Sequence, residues 1–311
     1  MQKKLVAIVG ATATGKSDLA KAMIKKFNGV AISVDSRQIY RGLDLGTGKD
    51  KSFPQKMIDI LDAGEKFSVV EFQKKVLDLI EKTFASGKIP FLVGGTGFYL
   101  DSIIFERNYP AVAPDENLRK CLSKLTIKEL CQKLLQKDTD SARRVGKNKR
   151  RLIRALEIIE KTGEKVPKFY ARKFRYPTLL LGIEVNRDKL YQRIDERVDE
   201  RIKLGMIKEV RSLIERGVSK IWLKGLGLEY RAITEFLEAK NTKREMIQGL
   251  KFDIHAFSRR QATWFRQYPE IEWLELIEYT KKDKQQLVEK AEEKVHDFVK
   301  LLKDEISKKS I

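Results

Sequence analysis

An unbroken apolar run, Leu5, Val6, Ala7, Ile8 and Val9, opens the chain. Strands buried on both faces of a parallel sheet show such runs, so residues 4–9 are predicted to form one. The period then changes. Leu19, Ala20, Met23, Ile24 and Phe27 fall at helical spacing and predict a helix over 18–27. Residues 30–34 form a second buried run ending at Asp35, and residues 57–61 a third. Ser68 is placed to cap a long helix, Val69–Ala85, which Gly87 ends. Ile89–Val93 is the next strand.

Strands alternating with helices predict a parallel sheet covered on both faces, a doubly wound α/β layer. Between residues 114 and 175 helical segments (116–125, 127–136 and 148–161) follow one another without a strand. Thr178–Val185 restores the strand pattern, so 114–175 reads as a helical insertion into a core made of 1–113 and 176–311. Helices are expected over 187–204, 206–216, 229–239, 242–265 and 281–308, with a last strand at 272–276. Leu287, Val288, Ala291, Val295, Phe298, Val299 and Leu302 give the final helix one apolar face.

The first strand-to-helix junction carries chemistry. Gly10-Ala11-Thr12-Ala13-Thr14-Gly15-Lys16-Ser17 is a complete phosphate-binding loop. Its glycines let backbone amides turn inward, Lys16 reaches a terminal phosphate, and Ser17 can ligate magnesium. The fold class expected is therefore α/β, a P-loop NTPase-like doubly wound parallel sheet with a helical insertion domain. Ligands bind such sheets at the carboxyl ends of the strands. Asp35 and the Gly94-Gly95-Thr96-Gly97 turn should gather there beside the loop. A carboxylate in that place serves as a magnesium ligand or general base, or simply caps the next turn.

Charge adds a partner. Lys and Arg total 64 against 44 Asp and Glu, a formal net charge of +20 among 311 residues. The excess favours a polyanion, nucleic acid ahead of membrane, over a merely soluble basic protein. Arg143, Arg144, Lys147, Lys149, Arg150, Arg151, Arg154, Lys165, Lys168, Arg172, Lys173 and Arg175 concentrate it in the insertion, as an RNA-backbone clamp or a solvated face. No apolar run approaches the roughly 18 residues of a membrane span. Met-Gln-Lys-Lys leads straight into the first strand, leaving no room for a cleavable signal, so a cytoplasmic protein is expected. Cys121 and Cys131 read as reduced packing residues, and the distant His255 and His296 as structural. Trp264 and Phe265 read as core.

Three segments together resemble one family. The phosphate loop, the block Asp35-Ser36-Arg37-Gln38-Ile39-Tyr40-Arg41-Gly42-Leu43-Asp44-Leu45-Gly46-Thr47-Gly48-Lys49, and Gly94-Gly95-Thr96-Gly97-Phe98-Tyr99-Leu100 are similar to the bacterial-type tRNA dimethylallyltransferases, or tRNA isopentenyltransferases. The likeness continues through Asp115 to Arg119, Arg150 to Glu157, Arg193 to Val198 and Arg259 to Phe265. It implies a prenyl transfer. The exocyclic amine of the adenosine 3′-adjacent to the anticodon would attack the allylic carbon of dimethylallyl diphosphate and expel pyrophosphate. The partners implied are the tRNA anticodon stem-loop and dimethylallyl diphosphate, the cofactor is magnesium at Ser17, and the enzyme would be a monomer.

The resemblance implies roles as well. Asp35 would be the base, Thr96 would meet the bridging oxygen of the leaving group, and Lys16 would neutralise the departing diphosphate. Gly10 through Ser17 would hold that diphosphate. Asp35, Ser36, Arg37, Gln38, Thr96, Arg119, Arg150, Arg151, Leu152, Ile153 and Arg154 would meet tRNA. Departures are visible: Gly48 and Asp50 stand where the family has Ala and Pro. Residues 54–59 lack the family's His pair, and Gly227-Leu228-Glu229-Tyr230-Arg231 replaces its Gly-Tyr-Lys/Arg-Glu segment, so no tRNA contact is carried onto that stretch. An adenylate isopentenyltransferase acting on free nucleotides, which would not need the basic insertion, and a P-loop small-metabolite kinase, which would not need the 35–49 block, are the alternatives.

Overall fold

The computed structural model describes residues 3–107, 109–110, 112–167 and 172–309, with backbone alone for 301–309. Lys168 and the side chain of Leu302 thus lie outside the described residues. The chain starts with β1 (Leu5–Gly10), α1 (Lys16–Lys26), β2 (Gly29–Ser33), β3 (Gln55–Lys56), α2 (Val69–Ala85), β4 (Ile89–Val93) and α3 (Gly97–Ile104). Four helices follow: α4 (Glu116–Ser123), α5 (Ile127–Lys137), α6 (Thr139–Val145) and α7 (Lys149–Thr162). The chain then forms β5 (Thr178–Val185), α8 (Arg187–Lys203), α9 (Met206–Glu215), α10 (Lys220–Gly225), α11 (Leu228–Leu237), α12 (Lys243–Phe265), β6 (Ile271–Leu276) and α13 (Lys281–Lys309).

All six strands pair in parallel, in the order β3-β2-β4-β1-β5-β6. β1 lies inside the sheet, and every residue of it is buried. Leu5, Ala7 and Val9 pack with Phe72, Val76 and Ile80 of α2 and Leu100 and Ile103 of α3. Val6 and Ile8 pack on the other face with Leu19 and Met23 of α1 and Leu287 and Val295 of α13. Each large apolar side chain so covered contributes about 1.5–3 kcal/mol of transfer energy. The doubly wound layer is thus set by alternate residues of one apolar strand. Among the described residues no helix is long and apolar enough to cross a membrane.

Helix ends follow their signals. Ser68 caps α2 in a reciprocal box with Glu71, and Thr126–Glu129 and Thr242–Glu245 do the same for α5 and α12. The expected strand over 57–61 does not form. Met57 and Asp59 adopt left-handed backbone (φ 64° and 52°), which breaks a strand, and only residues 55–56 pair with β2. α6 and α10 went unpredicted, because helices this short show too little of the apolar period.

By their contacts the residues form two units, one of residues 1–105 and 174–311 and one of Glu106–Lys173. The second begins earlier than the expected 114 because Glu106 already pairs with Lys173, backbone to backbone at 2.9 Å and side chain to side chain at 3.0 Å. Its core is Leu122, Leu130, Leu134, Leu152, Ala155, Leu156 and Ile159. Cys121 is exposed, so it is not a packing residue; Cys131 is partly covered. Within this core Glu157 is fully buried. It accepts from the Asp115 amide (2.7 Å), from Arg119 Nε and Nη2 (2.8 Å each) and from Arg154 Nη1 (2.5 Å).

Removing the carboxylate strands four donor groups, although both arginines are about a third exposed and can rehydrate. Glu157→Ala should therefore destabilise this unit by about 2–4 kcal/mol, rather than the full cost of an uncompensated buried charge. Chemical denaturation with limited proteolysis between α4 and α7 measures it.

Candidate active site

Gly10 ends β1 at φ 143°, where a side chain would press on the Ile183 carbonyl, 2.9 Å from a Cβ. The chain then wraps through Ala13 (φ 65°) and Gly15 (φ 96°) into α1. Ala13 holds this costly conformation while Tyr279 donates its hydroxyl to the Ala13 carbonyl at 3.1 Å. Thr12, Ala13, Gly15, Lys16 and Ser17 line a cavity of about 670 Å³. Thr14 does not, because its hydroxyl is donated to the Ala11 carbonyl (3.0 Å), and Gly10 and Ala11 also stand behind the lining. Lys16 Nζ donates to that same carbonyl at 2.5 Å. Burial and the nearby Arg197 push the Lys16 ammonium down to about 7, against the opposing pull of Asp35.

The second strand delivers Asp35, Arg37 and Gln38 to the same cavity; Ser36 is not among its lining residues. Asp35 Oδ1 accepts from the amides of Arg37 (2.8 Å) and Gln38 (3.3 Å), so the carboxylate both caps this turn and lines the cavity. The loop beyond is fastened from outside. Glu209 accepts the amides of Asp44, Leu45 and Gly46 at 2.7–3.1 Å and the Tyr230 hydroxyl at 2.9 Å. The buried Lys49 ammonium donates to the Tyr40 carbonyl (2.5 Å), Asp44 (2.9 Å) and Asp59 (2.5 Å). Gly46 is required because a Cβ would run into the Tyr230 ring.

Gly94 and Gly95, which follow β4, line the cavity, while Thr96 stands next along the chain. Thr96 precedes α3, and its hydroxyl makes no capping bond to that helix. Gln261 of α12 joins this turn to the phosphate loop, accepting from the Thr12 amide (2.8 Å) and donating to the Gly95 carbonyl (2.9 Å). Trp264, one turn on, covers Gly97 and donates to the Tyr268 hydroxyl at 3.0 Å, and Phe265 is fully buried. Both aromatics are packing residues, as their apolar context suggested.

Arg193, Arg197 and Arg201 complete the cavity wall, and the sequence pattern gave them no role. Their four-residue spacing puts them on one face of α8. That spacing was visible, but a basic helical face usually meets solvent, and only packing turns this one inward. Burial, then repulsion from Arg201 and Arg193, lowers Arg197 to about 10. Arg201 is also lowered, chiefly by burial. Arg193 stacks on the Tyr279 ring at 4.1 Å, and its buried Nε has no partner. Crowded, desolvated cations favour a multiply charged anion between them.

The remaining candidates belong to the second unit. Arg150 and Arg151 are exposed at the start of α7. Leu152 is fully buried and Ile153 partly so, both within that unit's core; the side chain of Leu152 therefore offers RNA no surface. Arg119 and Arg154 are engaged by Glu157.

A bound diphosphate should restore the Lys16 proton, because it replaces lost solvation and offsets the repulsion of Arg197. Pyrophosphate binding should take up about half a proton at Lys16 at pH 7, and affinity should fall by up to about tenfold per unit as pH rises above that value. Calorimetry in buffers of different protonation enthalpy measures this, with Lys16→Met as the control that removes the Lys16 share.

Known proteins resemble this chain over most of its length. Residues 38–268 match the family model of IPP transferases. A tRNA dimethylallyltransferase of Carboxydothermus hydrogenoformans is 39% identical over 290 residues, covering 88% of this chain and 93% of that protein. One from Geobacillus thermodenitrificans is 38% identical over 292 residues, covering 89% and 92%. Among solved structures, the tRNA isopentenylpyrophosphate transferase of Bacillus halodurans superposes with a TM-score of 0.72 at 34% identity, over 96% of this chain and 99% of that one. A eukaryotic dimethylallyltransferase acting on tRNA gives 0.75 at 25% identity, over 88% and 74%. The chain has the P-loop NTPase-like fold of these enzymes and belongs to the IPP transferase family of prenyltransferases.

Proposed function

We propose that this enzyme, acting in the cytoplasm, transfers the dimethylallyl group of dimethylallyl diphosphate to the exocyclic amine of the adenosine 3′-adjacent to the anticodon in tRNA. The observation that carries the reading is the meeting of Lys16, Asp35 and three partly buried arginines around one cavity. The amine lone pair forms the new bond to the allylic carbon while the carbon–oxygen bond breaks, its electron pair leaving on pyrophosphate. Asp35 accepts the proton that the amine loses. Lys16, Arg193 and Arg197 hold the charge that grows on the leaving group, and Thr96 can donate to its bridging oxygen. Phe257, Val93 and Leu204 supply the apolar lining for the prenyl chain.

Magnesium fits this donor set as a partner of the substrate. Among the described residues no cluster of three or more His, Cys, Asp or Glu could cage a metal. Magnesium commonly keeps waters and takes substrate phosphates with few protein ligands, and the Ser17 hydroxyl lines the phosphate end. When bound it would neutralise diphosphate charge.

Incubation with labelled dimethylallyl diphosphate and either tRNA or AMP tests the reading: label should enter tRNA and not AMP. Asp35→Asn should leave tRNA binding largely intact and lower the single-turnover rate about 100-fold. Label in AMP alone, or an undiminished Asp35→Asn rate, would overturn it.

Arg150 and Arg151 are proposed to neutralise tRNA phosphates. Replacing both with Ala should weaken tRNA binding and flatten the slope of log affinity against log salt by about 0.7–0.9 for each phosphate no longer neutralised. The melting temperature should hold, because neither side chain supports the core. Filter binding across a salt series provides the measurement.

A further inference from the structure

Glu229 lines the active-site cavity, yet the chemistry above gives it nothing to do. An acidic residue in the first turn of a helix is ordinary, since it meets the positive end of the helix dipole. Glu229 is different in where its oxygens go. Only 6% of its side chain is exposed. Oε2 accepts from Arg37 Nη1 at 2.8 Å, and Oε1 lies 3.9 Å from Arg201 Nη1. Both arginines are themselves about six-sevenths covered, with 14% and 15% of their side chains exposed. The chain enters α11 through Gly227 (φ 73°) and Leu228 (φ 42°), and a left-handed leucine is a costly way to begin a helix.

The seat of Arg201 depends on a residue far away in sequence. A Cβ on residue 48 would overlap Arg201 Nη2, and Gly48 has none. Two departures seen in the sequence therefore meet at one guanidinium: Gly48 leaves the space that Arg201 fills, and Glu229 faces it. Across the same carboxylate stands Arg37, two residues from Asp35. The Arg37 backbone amide is already hydrogen-bonded to Asp35. Asp35 is also the second carboxylate whose charge acts on the Arg37 guanidinium, after Glu229. Without Glu229, the nearest counter-ion for a buried guanidinium would be the proposed base. A carboxylate paired to arginine is a poorer proton acceptor.

We propose that Glu229 is a positioning residue that draws the Arg37 guanidinium away from Asp35, braced by Arg201 in the space left by Gly48, and so keeps Asp35 available as the base. The role rests on the reading of Asp35 given above. It differs from a purely structural role in one consequence. Loss of Glu229 removes negative charge from the cavity wall, so anion binding should strengthen while transfer slows.

Single-turnover transfer to tRNA and pyrophosphate affinity, measured together, test the idea. Glu229→Gln should transfer about tenfold more slowly while binding pyrophosphate as tightly as the parent enzyme or a few-fold more tightly. Glu229→Asp, which keeps the charge, should lie nearer the parent rate. Adding Arg37→Gln to Glu229→Gln should recover part of the rate, because the competitor for Asp35 is then gone. A Glu229→Gln rate equal to the parent, a double variant no faster than Glu229→Gln, or weakened pyrophosphate binding with a lowered melting temperature would each overturn the role. A parent enzyme that labels no tRNA would overturn the functional reading instead.

Discussion

Like charges packed into one cavity are the constraint around which this protein is built. Lys16, Arg193, Arg197 and Arg201 converge at the carboxyl edge of the sheet, and burial takes away the water that would screen them. Left alone they would repel one another and rotate outward. Lys16, Arg193 and Arg201 each have a hold of their own. Lys16 is tied to the Ala11 carbonyl, Arg193 lies on the Tyr279 ring, and Arg201 fills the gap above Gly48. That crowding disposes the cavity toward an anion of high charge.

Carboxylates with several donors do the complementary work. Glu209 gathers three amides and a phenol, and so shapes the loop carrying residues 44–46. Glu229 faces two arginines in the cavity wall. Glu157 does the same inside the second unit, where it joins α4 to α7 through Arg119, Arg154 and the Asp115 amide. A half-satisfied network of this kind would be worse than an apolar core; a fully satisfied one fixes a single arrangement. The use of Arg119 and Arg154 in such a network also separates two functions that sequence alone merges. A basic helix can carry some arginines for RNA and others for itself.

Gln261 and Tyr279 extend this logic to the phosphate loop. One holds the Thr12 amide to the Gly95 carbonyl, the other holds the Ala13 carbonyl, and both come from late in the chain. The loop motif is local, but its shape is maintained by side chains more than 240 residues away. That is why residues late in the chain help to shape the candidate site.

What the sequence determined by itself was whatever depends on local periodicity and local backbone freedom. β1, β4 and β5 were legible because strands covered on both faces must be apolar throughout, and α2 because Ser68 and Glu71 close a cap within four residues. The phosphate loop and Asp35 were legible because glycine spacing and a strand-end carboxylate are properties of short segments. The absence of a strand at 57–61, the inward turn of Arg193, Arg197 and Arg201, and the engagement of Arg154 were not legible in this way. Apolar content at 57–61 resembles a strand until Met57 and Asp59 take left-handed conformations, and a basic helical stripe is the same string whether it faces water or a cavity. Only tertiary packing decided these, because they turn on which distant carboxylate, ring or missing Cβ stands opposite each side chain.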